Sequence, residues 1–249
     1  MGDPATGGTA VGVERVLHTR VATLYSNLVT RPTGRAVRVA IEQQIQESGG
    51  PCLSILDFSQ VGVIDFSCAD EVIAKLLGKY RRPDRPHDAF FLAHGVSEHH
   101  KDLIEAVLQR HSLLLVAVES DRPALWGPAP LRLRAAWDCL NRLGCALSAE
   151  FASARGVSRG AANSWLKRLV SWRVAVPEAG GRFSSLSAIL DRRPGYRTGA
   201  VGMSPYRIAA ENVAPYGPEG ETDNGFPAGS EDVASFPPES GEIDQLPAW

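Results

Sequence analysis

The residues best placed to do chemistry are Arg159, Asn163 and Lys167, spaced four apart in a segment of helical periodicity and so aligned along one side of it. An arginine so presented can read guanine O6 and N7, and an asparagine can read adenine in the same two-point fashion. Ser158, Ser164 and Arg168 lie beside this stripe, while Arg155 and Arg182 stand before and after it, where cations meet phosphates. A solvated helix on a protein-docking module would show the same stripe. A second centre is the run Ile64-Asp65-Phe66-Ser67-Cys68. Ser67 opens a helix there and can serve as its N-cap, with Asp70 three residues on approximating a capping box. Alternatively its hydroxyl carries a phosphate at the favourable end of the helix dipole, among Asp65, Asp70 and Glu71.

Other reactive residues form no pattern. Cys52, Cys68, Cys139 and Cys145 include no CxxC pair and have no histidine at metal-ligand spacing, which reads as idle thiols in a reducing compartment. His94, His99, His100 and His111 cluster in sequence, but adjacent histidines diverge on a helix and no carboxylate joins them at ligand spacing, so no metal is expected. There is no phosphate-binding glycine loop and no nucleophile elbow. The chain is therefore not expected to be an enzyme, and no cofactor is expected. No apolar run reaches membrane-spanning length, and Met1–Ala10 lacks the basic and apolar regions of a signal peptide, which points to a soluble cytoplasmic protein.

The elements that carry these residues emerge from periodicity. Val13–Leu17 is a strand or a short helix; the pattern does not decide. Ala36, Val37, Val39, Ala40, Ile41 and Ile45 mark a helix ending near Ser48-Gly49-Gly50-Pro51. Leu53–Phe58 is a buried strand, and after a turn the helix from Ser67 buries Ala69, Val72, Ile73, Leu76 and Leu77. A strand at Ala89–Ala93, a helix over Ser97–Arg110 and a strand at Leu113–Val118 complete an alternation that predicts an α/β fold with mainly parallel strands. The stretch Leu53–Tyr80 resembles the STAS domain of sulfate transporters and anti-sigma-factor antagonists. In that family a strand leads to a hydrophobic-Asp-Ser-Ser-Gly loop and a helix, and a partner kinase phosphorylates the second serine. Asp65 and Ser67 match that loop, whereas Phe66 and Cys68 replace its Ser and Gly. The resemblance covers roughly residues 12–120 and implies a mixed sheet with helices mostly on one face, with a kinase or regulator as protein partner.

Residues 121–130 hold three prolines and a glycine and read as a linker, with Trp126 packing at the junction. Beyond it, Leu131–Leu143 is a helix, stopped at Gly144, with Leu133, Ala136, Trp137, Leu140 and Leu143 on one face. Ser148 is suited to cap a second helix, and Ser158 a third that runs to about Trp172. Val174-Ala175-Val176, a turn over Pro177–Gly181 and Arg182–Leu186 make strand, turn, strand. The ordered set Ala-Glu-Phe-Ala, Gly-Val-Ser-Arg, Trp-Leu-Lys-Arg-Leu-Val and Arg-Val-Ala-Val resembles winged-helix bacterial regulators over 131–190.

Charge divides the chain in the same places. Residues 1–122 carry 13 Lys/Arg and 15 Asp/Glu, residues 131–198 carry 12 and 4, and residues 199–249 carry 1 and 9. A basic segment succeeded by a Pro-, Gly- and acid-rich one reads as a nucleic-acid module and a disordered acidic tail. The expectation is a transcriptional regulator. A STAS-like half docks a partner at Asp65 and Ser67, and a winged helix binds double-stranded DNA. The alternative is a partner-switching adaptor whose winged helix contacts protein only. Either reading leaves room for a homodimer.

Overall fold

The computed structural model describes residues 12–22 and 26–192. Residues 199–249, expected as a disordered acidic tail, lie outside the described residues.

Five strands form the main sheet: β1 (Arg15–Arg20), β3 (Cys52–Asp57), β5 (Ala89–His94), β6 (Leu115–Glu119) and β7 (Arg122–Trp126), in the order β1-β3-β5-β6-β7. The first four run parallel and β7 is antiparallel, so the sheet is mixed. The undecided segment at the start is thus a strand. Each parallel step moves one place in the same direction, and right-handed crossovers then put every connecting helix on one face. Those helices are α1 (Arg31–Glu47), the run α2 (Phe66–Ala69) to α3 (Leu76–Arg81), and α4 (Glu98–Arg110). Between α2 and α3 the chain passes without interruption through a π-helical stretch, Asp70–Lys75. A two-stranded ribbon, β2 (Asn27–Leu28) with β4 (Val63–Ile64), delivers the chain to the start of α2.

Alternation along the strands divides two cores. Cys52, Leu56, Phe91, Leu115 and Trp126 face the helices, packing with Ile41, Ile45, Ile73, Leu76, Ile104 and Val107. Leu53, Ile55, Phe90, Leu92, Leu114, Val116 and Leu125 face the other way, into a core shared with Leu133, Trp137, Leu140, Leu166 and Leu169. The helix α1 approaches α2 closely: a methyl at Gly34 would sit 2.8 Å from Cα of Cys68.

Half of the stretch expected as a linker, 121–130, is strand: β7 spans Arg122–Trp126. Ser120 and Asp121, both at positive φ (45° and 63°), make a two-residue turn between Glu119 and Arg122, and β7 pairs back along β6. Pro123 does not prevent this because β7 is an edge strand, where its missing N–H costs no ladder bond. Trp126 accordingly lies in the helix-side core and donates to Glu119, away from the junction with the second half of the chain; Leu125 faces that junction. Gly127 (φ 97°) makes the exit turn, where a Cβ would fall 2.2 Å from the Leu113 carbonyl oxygen.

The second half comprises α5 (Leu131–Leu143), β8 (Cys145–Leu147), α6 (Ser148–Arg155), α7 (Arg159–Ser171), β9 (Ala175–Glu178), β10 (Arg182–Ser185) and α8 (Leu186–Asp191). Its sheet is antiparallel in the order β8-β10-β9. The β9–β10 turn is only Ala179–Gly181, shorter than the sequence suggests because Pro177 and Glu178 stay paired in β9. Leu186 begins a helix rather than ending a strand, since the Ser185 hydroxyl accepts the Ala188 N–H as an N-cap. Ser148 is the first residue of α6 rather than its cap; Glu150 satisfies the Leu147 N–H from within that first turn.

Candidate functional site

At the start of α2 the helix cap is Asp65, not Ser67. The helix begins at Phe66, so the Asp65 carboxylate accepts the Cys68 N–H at 2.7 Å. The Ser67 hydroxyl donates to the same carboxylate at 2.9 and 3.1 Å. Burial raises the Asp65 pKa, but these donors outweigh it and the carboxyl is held below its ordinary value. Ser67 is half-buried, and Phe66 beside it is exposed with the Arg110 guanidinium 5.5 Å from its ring centre. Leu28 and Ile64 are buried, whereas Val63 in the ribbon and Val29, the residue after β2, are both about half exposed.

Asp70 and Glu71 do not add negative charge around Ser67, as the sequence suggests. Both are buried in the π-helical stretch and matched by the cations Arg31, Arg38 and Lys75, with the His111 ring against Asp70. Arg31 reaches Asp70 (3.2 Å) and Glu71 (3.1 Å), Arg38 reaches Glu71 (3.4 Å), Lys75 also pairs with Glu71, and His111 Nε2 lies 2.6 Å from Asp70. Burial raises both acids, yet His111 and Arg31 for Asp70, and Lys75, Arg31 and Arg38 for Glu71, bring both below their usual values.

On the other candidate surface, α7 brings Arg159, Asn163 and Lys167 to one side. Arg159 and Lys167 are exposed, and with half-exposed Arg155 their side chains make no ion pair or hydrogen bond among the described residues. Asn163 is half-buried and its Oδ1 faces the Ser148 hydroxyl at 3.4 Å, so it also ties α7 to α6. Ser158 is the α7 N-cap, accepting the Ala161 N–H at 3.2 Å, and Ser164 donates to the Gly160 carbonyl. The Arg168 guanidinium lies 5.9 Å from the Trp165 ring centre. Arg182 is the least available of the set: Nε is 3.1 Å from Cys145 Sγ and Nη2 is 3.5 Å from Glu150.

A third cluster escapes sequence reading. Asp57, the last residue of β3, lies between His18 within β1 (Nε2, 3.6 Å) and His94 at the end of β5 (Nδ1, 3.8 Å). Asp57 is 2% exposed, and burial raises its pKa, but His94, the Ser59 amide and hydroxyl and His18 bring it down to about 2. His18 is lowered in turn, chiefly by burial. The only signal in the sequence is that Asp57 and His94 each end an apolar run. The structure places His99 and His100 on α4 and His111 just past it, and no group of three or more metal-binding side chains converges among the described residues. No helix among them is long and apolar enough to cross a membrane. No protein-family model, curated protein or solved structure matches the chain.

Proposed function

We propose that the chain is a transcriptional regulator. Its second half acts as a winged helix-turn-helix on double-stranded DNA, and its STAS-like first half docks a partner around Asp65 and Ser67. The observation that carries this reading is the cationic surface at α7: Arg159 and Lys167 on α7, and Arg155 at the end of α6 just before it, have no partner among the described residues. Support comes from the element order. Three helices interleave with an antiparallel β8-β10-β9 sheet, and α7 directly precedes the β9–β10 hairpin. That arrangement suits insertion of α7 into a major groove, with the hairpin over the adjacent backbone. Reading DNA also implies a cytoplasmic location.

The adaptor reading rests on a different observation. Val29, Val63 and Phe66 are exposed beside half-buried Ser67, which suits a protein partner whether or not DNA is bound.

One experiment separates the two: selection of bound fragments from random duplex DNA by the full-length protein, then affinity across a salt series. The regulator reading expects an enriched sequence and a steep fall of affinity with salt. No enrichment, with no salt-dependent retention, overturns it in favour of the adaptor.

A further inference from the structure

Arg173 ends α7 in a Schellman turn, its N–H reaching the Val170 carbonyl and the Val174 N–H the Leu169 carbonyl. Arg173 takes a left-handed φ of 61°, which residues with a Cβ rarely adopt. Its guanidinium is nevertheless buried, with the side chain only 9% exposed. It donates to the Ala89 carbonyl from Nε (3.2 Å) and Nη2 (2.9 Å) and to Asp88 Oδ1 (3.0 Å), and lies 4.1 Å from the Phe90 ring centre. Asp88 is held from the other side by Arg85 at 2.6 Å, and its carbonyl accepts the Cys52 N–H. Arg173 therefore grips the sheet where β3 and β5 begin. One residue earlier, Trp172, which caps the C-terminal end of α7, has the Arg81 guanidinium 3.8 Å from its ring centre. Arg81 is the final residue of α3, and the run from α2 to α3 starts at the Asp65 cap. One helical run thus leads from the Asp65–Ser67 loop to the C-terminal end of α7.

A bare packing contact would not need this chemistry. An apolar side chain would fill the seam more cheaply than a desolvated cation. The planar fork instead fixes direction, because it satisfies a carbonyl and a carboxylate at once while stacking on a ring.

We propose that Arg173 is a positioning residue. With the Arg81–Trp172 stack, it sets the orientation of α7 against the sheet and couples that helix to the one that begins at the Ser67 loop. The DNA readout of this proposal rests on the regulator reading, whereas the joint itself does not.

The test uses full-length Arg173→Lys and Arg81→Ala. Lysine keeps the charge but loses the fork, while Arg81→Ala removes the Trp172 stack and one hydrogen bond to the Ser112 carbonyl. Two quantities are measured: the affinity ratio for the selected over a scrambled duplex, and amide hydrogen exchange in α7 relative to α1. The expected result is a ratio reduced about tenfold in Arg173→Lys and less in Arg81→Ala, within the range typical of coupled sites. Faster exchange should be confined to α7 and its flanks. A merely structural residue would speed exchange throughout and leave the ratio alone. An unchanged ratio, or exchange raised uniformly, overturns the proposal. Should the wild-type chain bind no duplex, the regulator reading falls and the exchange pattern alone decides the joint. Should Arg173→Lys fail to fold, Arg81→Ala decides by the same two criteria.

Discussion

The Ser67 hydroxyl donates to the carboxylate of Asp65, and that carboxylate also caps α2 through the Cys68 N–H. One acid thus holds both the helix terminus and the hydroxyl read as either a cap or a phosphate acceptor. Asp65→Ala should cost about 1 kcal/mol as a lost cap, and Ser67→Ala clearly less, since it removes only a satellite hydrogen bond. Ser67→Asp sets two carboxylates against each other at the helix start and should alter partner binding while the chain stays folded. Chemical denaturation of the three variants, with capture of a partner by wild type and Ser67→Asp, checks the order. A larger loss for Ser67→Ala than for Asp65→Ala would return the capping role to Ser67.

Stability should fall on acidification in two separable windows. The Asp57 carboxyl has its folded pKa drawn from 3.8 to about 2. Its contribution is therefore present above about pH 4 and lost as pH falls toward 2, amounting to about 2 kcal/mol. His18 is also lowered from its ordinary 6.5, so the unfolded chain takes up a proton that the folded one refuses, and stability begins to decline below that pH. Denaturation at a series of pH values should show Asp57→Asn flattening the lower window and His18→Gln the upper. Superimposable profiles for wild type and both variants would remove the cluster from the acid response.

The sequence carries the elements better than the contacts. The runs Leu53–Phe58 and Ala89–Ala93 are legible because buried parallel strands are continuously apolar, and α7 because Ala162, Leu166 and Leu169 recur at helical spacing. Prolines hide β7, because sequence alone does not reveal that a strand is an edge. The acids Asp70 and Glu71 look like a charged rim; only the packing of α1 beside α2 brings Arg31 and Arg38 onto them. Asp57, His18 and His94 come from three strands that are far apart in sequence and adjacent in the sheet. Arg173 gives no signal at all, since its partners lie 84 and 85 residues away.

Glu71 is the most heavily matched acid in the α1–α2 seam, 2% exposed and facing Arg31, Arg38 and Lys75. Glu71→Ala leaves three cations without their shared anion and should destabilise by about 2 kcal/mol. The value sits below that of a fully buried pair because Arg31 and Lys75 remain half exposed and can turn to water. Glu71→Gln keeps the volume and isolates the charge. Equal stability of wild type and Glu71→Gln would show that shape, not ion pairing, holds the seam.

The stripe on α7 makes the sharpest demand. Arg159→Ala should lower affinity for a selected duplex more than for a scrambled one, by about 1–3 kcal/mol of discrimination, with almost no change in stability because the side chain is exposed. Asn163→Ala should also relax preference. It loses the Ser148 contact between α6 and α7 as well, so about 0.5–1 kcal/mol of stability goes with it. Lys167→Ala should weaken all sequences alike and reduce the salt slope by about one unit, as expected for a phosphate contact. Arg182→Ala serves as the contrast. Its guanidinium is already engaged by Cys145 and Glu150, so the smallest effect on binding is expected there. Binding of the four variants to both duplexes across a salt series ranks them. Four folded variants with wild-type affinity would take DNA reading away from α7 and leave the adaptor, with its exposed Val29, Val63 and Phe66, as the function to pursue.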